Sequence, residues 1–147
     1  MSNLIPTEED WEEYAKDLDA NYAHGIYFGK SNSEMLPAYK NRVLSRSEDI
    51  YWMPKKPFQY YILGFRDFVL ARNFGYLESS DAASSFLLLV LNKLEKQPEF
   101  IMPIYPALSA AVKFVAENQS LYEANEAIYG NFIELLNKIK TCLEKHS

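Results

Sequence analysis

The sequence is poor in the residues from which most catalytic and metal sites are built. Among its 147 residues are one cysteine, Cys142, and two histidines, His24 and His146. A structural zinc site needs four cysteine or histidine ligands at short spacing, and a disulfide framework needs paired cysteines. Nucleophilic catalysis needs a base beside the serine or cysteine. We therefore expect no metal, no disulfide framework and no catalytic centre of the Cys–His or Ser–His type.

Other sequence signals are missing as well. There is no GxxxxGK[ST] or GxGxxG phosphate-binding loop, and no Glu-x-x-His pair of the kind that di-iron bundles use. No apolar run reaches the ~18 residues of a membrane span. The first residues, MSNLIPTEEDWEE, lack the basic and apolar regions of a secretory signal. Together with the single cysteine, which fits a reducing compartment, these absences predict a cytoplasmic protein that is not an enzyme, has no cofactor and does not bind membranes.

The net charge of −5 is concentrated at one end of the chain. Residues 1–30 contain seven acids and two bases, whereas the acids and bases of residues 31–147 cancel. Pro6, Thr7 and Asp10 are typical of a helix start, and a helical stripe follows at Trp11, Tyr14, Ala15, Leu18 and Tyr22. An acidic surface steers basic partners toward it. We therefore predict that the acids on the other face of this helix bind a partner, namely Glu9, Glu12, Glu13, Asp17 and Asp19.

Helical periodicity continues along the chain and predicts an all-α fold, a compact single-domain bundle of about six helices covering residues 1–147. Residues 86–91 are apolar on every side, so a helix near 80–97 is expected at the centre of the bundle. Ser120 and Glu123 have the spacing of a capping box and predict the start of the last helix. Gly130 would then lie inside that helix, where a close helix–helix contact would explain it.

The segment 46–57, with the sequence RSEDIYWMPKKP, is interrupted by Pro54 and Pro57 and is predicted to be extended. It places Tyr51 and Trp52 where no helical stripe would bury them. Two interpretations stay open: these aromatic residues fold under against the core, or they form an exposed patch that binds a partner. We include both residues among the predicted partner-binding positions, because tyrosine and tryptophan are frequent at interface hot spots.

Nucleic acid is the less favoured partner. Residues 34–72 carry a net charge of +3, with Tyr51, Trp52 and Tyr60 interleaved among the bases, and bases combined with stacking aromatic residues are typical of single-strand binding. The excess of three charges is small, however, and the chain as a whole is acidic. We therefore expect no direct nucleic-acid binding.

The segments YYILGFRDFVLARNFGY and SSDAASSFLLLVLNKLEKQPEF, in an acidic helical protein without catalytic groups, resemble the helical immunity proteins of bacterial contact-dependent growth inhibition systems. The resemblance covers residues 55–145 in general pattern, contains no diagnostic short motif and carries over no binding residue. It implies a cytosolic protein that binds and neutralises the basic nuclease toxin domain of its own system, with an EndoU-type ribonuclease as the first choice of toxin.

Two other functions compete with this interpretation. The first alternative is a helical adaptor or regulatory subunit that acts through an aromatic protein-binding surface. The second is a small enzyme or ligand-binding bundle with a pocket lined by Tyr60, Tyr61 and Phe65. The sequence does not determine the oligomeric state.

Overall fold

A computed structural model describes residues 4–75 and 78–147 of the chain. Within these ranges the chain forms only helices and connecting turns, which confirms the all-α prediction. The α-helices are α1 (Leu18–Tyr27), α2 (Asn32–Asn41), α3 (Val43–Tyr51), α4 (Lys55–Ala71), α5 (Ser79–Lys96), α6 (Pro98–Ile101), α7 (Tyr105–Glu117), α8 (Glu126–Tyr129) and α9 (Phe132–His146). Short 3-10 helices span Glu9–Trp11, Tyr14–Lys16 and Met102–Ile104.

Helix α5 lies at the centre of the fold, as its all-round apolar sequence predicts. It packs against α3, α4, α6, α7 and α9. Phe86, Leu87 and Val90 are completely buried, because neighbouring helices cover this helix on several sides. Helix α4 also has a buried stripe at helical spacing, formed by Phe58, Tyr61, Ile62, Phe65 and Val69.

The predicted number of about six helices is too low for the described residues, seven of whose helices have nine or more residues. The additional long helix is α3. It includes residues 46–51 of the segment 46–57, which we predicted to be extended because of Pro54 and Pro57. Pro54 and Pro57 do not disrupt α3 because both lie after its end. They belong to the start of α4, where Pro54 is the N-cap and Pro57 lies in the first turn, whose N–H groups have no partner within the helix.

The prediction of one continuous N-terminal helix is wrong. Glu12 has a φ of 52° and ends the first 3-10 helix, and α1 begins only after Asp17, whose carboxylate accepts hydrogen bonds from the N–H groups of Asp19 and Ala20. Because the helix is interrupted, the predicted stripe does not stay on one face. Trp11 is fully buried, whereas Leu18 is 88% exposed and Tyr22 is 56% exposed.

The prediction for the last helix is wrong at its beginning. Glu123 has a φ of 56° and lies in a turn, so Ser120 does not cap a helix. Helix α9 begins at Phe132, where the Asn131 side chain accepts hydrogen bonds from the first turn. Gly130 has a φ of 76° and separates α8 from α9, and a side chain built at this position would meet no atom within 4 Å. Its role is therefore conformational, not the close helix contact that we predicted.

The close helix contact occurs instead at Gly64, where α4 meets α2. A Cβ atom at Gly64 would lie 2.6 Å from Cβ of Asn32, the first residue of α2. The Asn32 side chain donates a hydrogen bond to the carbonyl oxygen of Tyr60 at 3.0 Å, and its backbone N–H donates to the Tyr60 hydroxyl at 3.1 Å. The absence of a side chain at Gly64 thus allows Asn32 to join the two helices.

The stretch Pro98–Glu117 has a mean hydropathy of 1.3 and is the one helical stretch of the described residues long and apolar enough to cross a membrane. It includes α6, the 3-10 helix Met102–Ile104 and α7. The inward side of α7 is buried in the core through Leu108, Ala111, Val112 and Val115. A core helix of a soluble protein passes the same test, so this stretch is compatible with a soluble protein.

Candidate partner-binding site around Trp52

A groove of about 580 Å³ lies where the N-terminal turns face the junction of α3 and α4 and the end of α5. We call it the acidic groove. Its lining residues are Glu12, Glu13, Tyr14, Asp17, Ala20, Tyr51, Trp52, Met53, Pro54, Lys55, Lys93, Gln97, Glu99 and Phe100. Four of these are acids and two are lysines, so the groove has an excess of negative charge.

The N-terminal turns are held in place by a buried tryptophan. Trp11 is completely buried, with its ring centroid 5.1 Å from that of His24 and 6.3 Å from that of Tyr61. Lys56 at the start of α4 forms an ion pair with Asp10 at 3.4 Å. These contacts attach the turns to α1 and α4, so the acids of the groove lie on an anchored segment.

Three acids on these turns line one wall of the groove, in three different environments. Glu12 makes no ion pair or side-chain hydrogen bond with any of the described residues, whereas the Glu13 carboxylate pairs with Lys16 at 3.1 Å on the exposed surface. The carboxylate of Asp17 caps α1. Glu12 therefore supplies the least compensated negative charge of this wall.

The backbone of Glu12 is strained. Its φ of 52° and ψ of −133° belong to a region that glycine adopts readily and that costs other residues about 1 to 3 kcal/mol. A glutamate at this position therefore lowers stability while it places a free carboxylate in the groove. Strain of this kind is frequent at functional sites.

Replacing Glu12 by glycine is expected to raise the free energy of unfolding by about 1 kcal/mol, because the strain is relieved. Urea denaturation measures this change. Glu12→Ala is the matched control, since it removes the same carboxylate but keeps the strained backbone, and it should give no such increase. A second control is Glu13→Gly, where φ is −95°. An equal stability of the glycine and alanine variants at position 12 would contradict the prediction.

The structure combines the two interpretations of the aromatic segment. Met53 is 3% exposed and folds under against the core, Tyr51 is half-buried, and Trp52 is 41% exposed. The Tyr51 and Trp52 rings form an edge-to-face pair with centroids 5.1 Å apart. The 52–54 turn between α3 and α4 thus has a buried anchor and presents one large aromatic side chain on the surface.

Trp52 lies at the junction of three concave surfaces. Besides the acidic groove, it lines a cavity of about 210 Å³ with Asp19, Tyr22 and the Arg46–Asp49 pair. It also lines a cavity of about 480 Å³ whose walls include Leu44 and Leu88, which are 55% and 38% exposed. A partner that covers Trp52 would therefore meet acids on one side and aliphatic side chains on the other.

Within the 210 Å³ cavity, the Arg46 guanidinium lies 2.8 Å from the Asp49 carboxylate, and both residues are buried. Burial raises the pKa of Asp49 to about 6, although the neighbouring Arg46 charge opposes this shift. The Tyr27 hydroxyl donates to the Arg46 carbonyl oxygen at 2.8 Å. The Tyr27 hydrogen bond joins α3 to α1, whereas the Arg46–Asp49 pair lies within α3.

Lys93 lies beneath the 52–54 turn and is 2% exposed. Its Nζ atom donates to the Tyr51 carbonyl oxygen at 2.6 Å and to Gln97 Oε1 at 2.8 Å. It also lies 4.0 Å from the ring centroid of Tyr51, 4.9 Å from that of Phe100 and 5.2 Å from that of Phe58. Burial lowers the pKa of Lys93 to about 8, while the Glu99 charge acts in the opposite direction.

Of the residues predicted to bind a partner, five line the acidic groove, namely Glu12, Glu13, Asp17, Tyr51 and Trp52. Asp19 lies instead in the 210 Å³ cavity with Trp52. Glu9 is exposed on the first 3-10 helix and lines neither cavity. Sequence reasoning missed Lys93 and Glu99, although a lysine within the apolar central helix is a signal that could have drawn attention to position 93.

The predicted pocket of Tyr60, Tyr61 and Phe65 does not form. Tyr61 and Phe65 are completely buried in the core, and the Tyr61 hydroxyl donates to the Tyr27 and Lys30 carbonyl oxygens. Tyr60 alone lines a separate groove beside Pro103. Helical spacing had placed these three residues near one another without deciding that two of them are core residues.

Several bases of the segment 34–72 are already engaged. Arg46 pairs with Asp49 and is buried, and Lys56 pairs with Asp10. Arg66 donates to the Ala107 carbonyl oxygen at 2.7 Å. In the ranges 4–75 and 78–147 no group of three or more His, Cys, Asp or Glu side chains is arranged to hold a metal ion.

No family model, no curated protein and no solved structure matches this chain.

Proposed function

We propose that this protein is a cytoplasmic, non-catalytic immunity protein that binds a basic nuclease toxin domain, of which an EndoU-type ribonuclease is one candidate, and neutralises it. The observation that supports this proposal most is the acidic groove, which is lined by Glu12, Glu13 and Asp17 together with the exposed Trp52. A nuclease needs a basic surface to bind the phosphate backbone of its substrate. A groove of opposite charge beside an aromatic anchor is complementary to such a surface.

The charges and the tryptophan have different roles in this proposal. Exposed carboxylates attract a basic partner over a distance and increase the association rate, more strongly at low salt. An aromatic side chain at the centre of an interface contributes mainly to the lifetime of the complex once water is excluded. The acidic groove therefore steers the toxin domain, and Trp52 holds it.

The first step of the test is to ask whether a nuclease domain is encoded beside this gene. Where one is, that domain is the binding partner used in the measurements. We expect the triple variant Glu12→Lys, Glu13→Lys, Asp17→Asn to associate about tenfold more slowly than the unmodified protein at low salt. Asparagine is chosen at position 17 because it can still cap α1. Stopped-flow or surface plasmon resonance at about 25 mM and about 300 mM salt should show that the difference shrinks with screening.

The matched control changes the net charge equally on another face: Glu117→Lys and Glu144→Lys, combined with Glu134→Gln. These residues are exposed on α7 and α9 and lie outside the acidic groove. If both triple variants slow association equally, the effect is one of net charge and the groove is not the site. If the nuclease domain forms no complex with the unmodified protein, the proposed function is wrong.

The aliphatic side of the Trp52 surface favours a second candidate, a helical adaptor or regulatory subunit. Leu44 and Leu88 are exposed beside Trp52 in one cavity, and exposed apolar surface of this kind serves protein–protein contacts. Light scattering on the purified protein tests one form of this alternative, a subunit that associates with copies of itself. Self-association that is lost in a Leu44→Ser, Leu88→Ser variant would favour it over a toxin inhibitor.

A further inference from the structure

Lys93 is unusual because its charge is buried and forms no ion pair with a carboxylate in the ranges 4–75 and 78–147. Buried ammonium groups are normally paired with an acid, since desolvation of an unpaired charge is unfavourable. The closest acceptors of Lys93 are instead neutral oxygens, the Tyr51 carbonyl and Gln97 Oε1. Three aromatic rings surround the ammonium group and compensate part of its charge.

The Tyr51 carbonyl belongs to the last residue of α3, directly before Trp52. The last carbonyl groups of a helix receive no hydrogen bond from an N–H group of the same helix. A lysine ammonium group is a favourable donor to them. The hydrogen bond from Lys93 therefore caps the C-terminal end of α3. It joins α5 to the first peptide group of the 52–54 turn.

Lys93 and the three aromatic side chains around it belong to four different helices. Tyr51 is on α3, Phe58 on α4, Lys93 itself on α5 and Phe100 on α6. Lys93, Tyr51 and Phe100 also line the acidic groove. The ammonium group thus lies at the point where the floor of the groove and the base of the 52–54 turn meet.

We propose that Lys93 is a positioning residue that acts through Trp52. Its ammonium group holds the Tyr51 carbonyl within the aromatic enclosure and so fixes the orientation in which Trp52 is presented to the partner. This role deepens the proposed function and depends on it only for the identity of the partner. A methionine or leucine at position 93 would fill the same core space without a desolvated charge, so the retained cation is explained by the bond that it makes.

The test measures the mobility of Trp52 directly. The protein has two tryptophans, of which Trp11 is completely buried and Trp52 is 41% exposed. Acrylamide quenching of the intrinsic fluorescence therefore reports mainly on Trp52, and a Trp52→Phe variant supplies the background from Trp11. We expect Lys93→Met to raise the quenching constant about twofold, because a released turn samples more open conformations.

Two control variants separate positioning from general stabilisation. Lys55→Met removes a positive charge from the same groove, and Gln97→Met removes the other acceptor of Lys93 while the bond to Tyr51 remains possible. Both should leave the quenching constant of Trp52 unchanged, whatever they do to the urea midpoint. If Lys93→Met lowers stability but leaves Trp52 quenching unchanged, Lys93 is a core residue only and the proposal is wrong.

The unmodified protein provides a second test if Lys93→Met does not fold. Raising the pH from about 7 to about 9.5 removes the proton from an ammonium group whose pKa is about 8. The titratable group in contact with Lys93 is Tyr51 on α3, whose ring centroid lies 4.0 Å from Nζ. The other titratable groups that line the groove with Lys93 are Glu99 on α6, Lys55 at the start of α4, and Glu12, Glu13, Tyr14 and Asp17 on the N-terminal turns. The neutral amine of Lys93 still has N–H groups, but it loses the charge that strengthens the bond to the Tyr51 carbonyl and the attraction to the three rings. Trp52 quenching should therefore rise with a midpoint near pH 8 in the unmodified protein, and a flat profile would overturn the proposal that the ammonium charge holds the turn.

Binding of the nuclease domain chosen for the test of the proposed function distinguishes the two proposals. We expect Lys93→Met to bind it about tenfold more weakly, mainly through faster dissociation. Unchanged affinity with increased Trp52 quenching would show that the orientation of Trp52 does not matter for binding. If the nuclease domain binds neither form, the proposed function fails, and the quenching measurements still decide whether Lys93 positions Trp52.

Discussion

Replacing Gly64 by alanine is expected to lower the free energy of unfolding by about 2 to 4 kcal/mol, a large part of the stability of a domain of this size. The new Cβ atom would lie 2.6 Å from Cβ of Asn32. The Cβ atom of Asn32 is attached directly to the backbone of α2, so rotation of the Asn32 side chain does not move it away. Helices α2 and α4 must move apart, and the hydrogen bonds from Asn32 to Tyr60 are weakened.

Urea denaturation of two single variants tests this expectation. Gly25→Ala is the matched control, because Gly25 lies in α1 and a Cβ atom there would meet nothing within 4 Å. Alanine is favoured over glycine within a helix by up to about 1 kcal/mol, so this control should be more stable than the unmodified protein. A Gly64→Ala protein as stable as the Gly25→Ala protein would show that α2 and α4 are not in close contact.

Replacing Trp52 by alanine is expected to weaken binding of the nuclease domain by about 2 to 4 kcal/mol, or about 30- to 1,000-fold in Kd. Trp52 projects between the acidic groove and two further cavities, so a partner that covers this surface would enclose its ring. Most of the loss should occur in the dissociation rate. The acids would still steer the first encounter.

Phe114→Ala is the control for Trp52→Ala, since Phe114 is 39% exposed and lines none of the three cavities. Titration calorimetry on both variants gives the affinities, and urea denaturation shows whether either loss is only a loss of fold. An unchanged Kd for Trp52→Ala, or an equal loss of affinity for Phe114→Ala, would show that Trp52 is not part of the interface.

Long apolar segments were the most predictable part of the fold. The stripe of α4 and the central position of α5 follow from local periodicity, because a helix with large apolar side chains on several faces must be surrounded by other helices. The beginnings and ends of helices were less predictable. Glu12 and Glu123 have positive φ values although neither is a glycine, so the sequence contains no signal for these turns. The prolines after α3 led to the wrong prediction of an extended segment.

The candidate site was predicted as two separate features. The charge count located an acidic N-terminal segment, and the proline-bounded segment located Tyr51 and Trp52. Their meeting in one groove brings the N-terminal turns against the 52–54 turn, and these segments are distant in the chain. No local pattern contains this information.

The sequence by itself determined that the protein is helical, that α5 is central, that its net negative charge lies within residues 1–30, and that the residues for a zinc site or a histidine-dependent catalytic centre are scarce. These properties depend on composition and on spacing within one helix. Only the tertiary structure decided that Gly64 allows a close helix contact, that Lys93 lies beneath Trp52, and that Glu12 faces the same groove. Each of these is a contact between segments distant in the chain, and such contacts arise from packing that local periodicity does not specify.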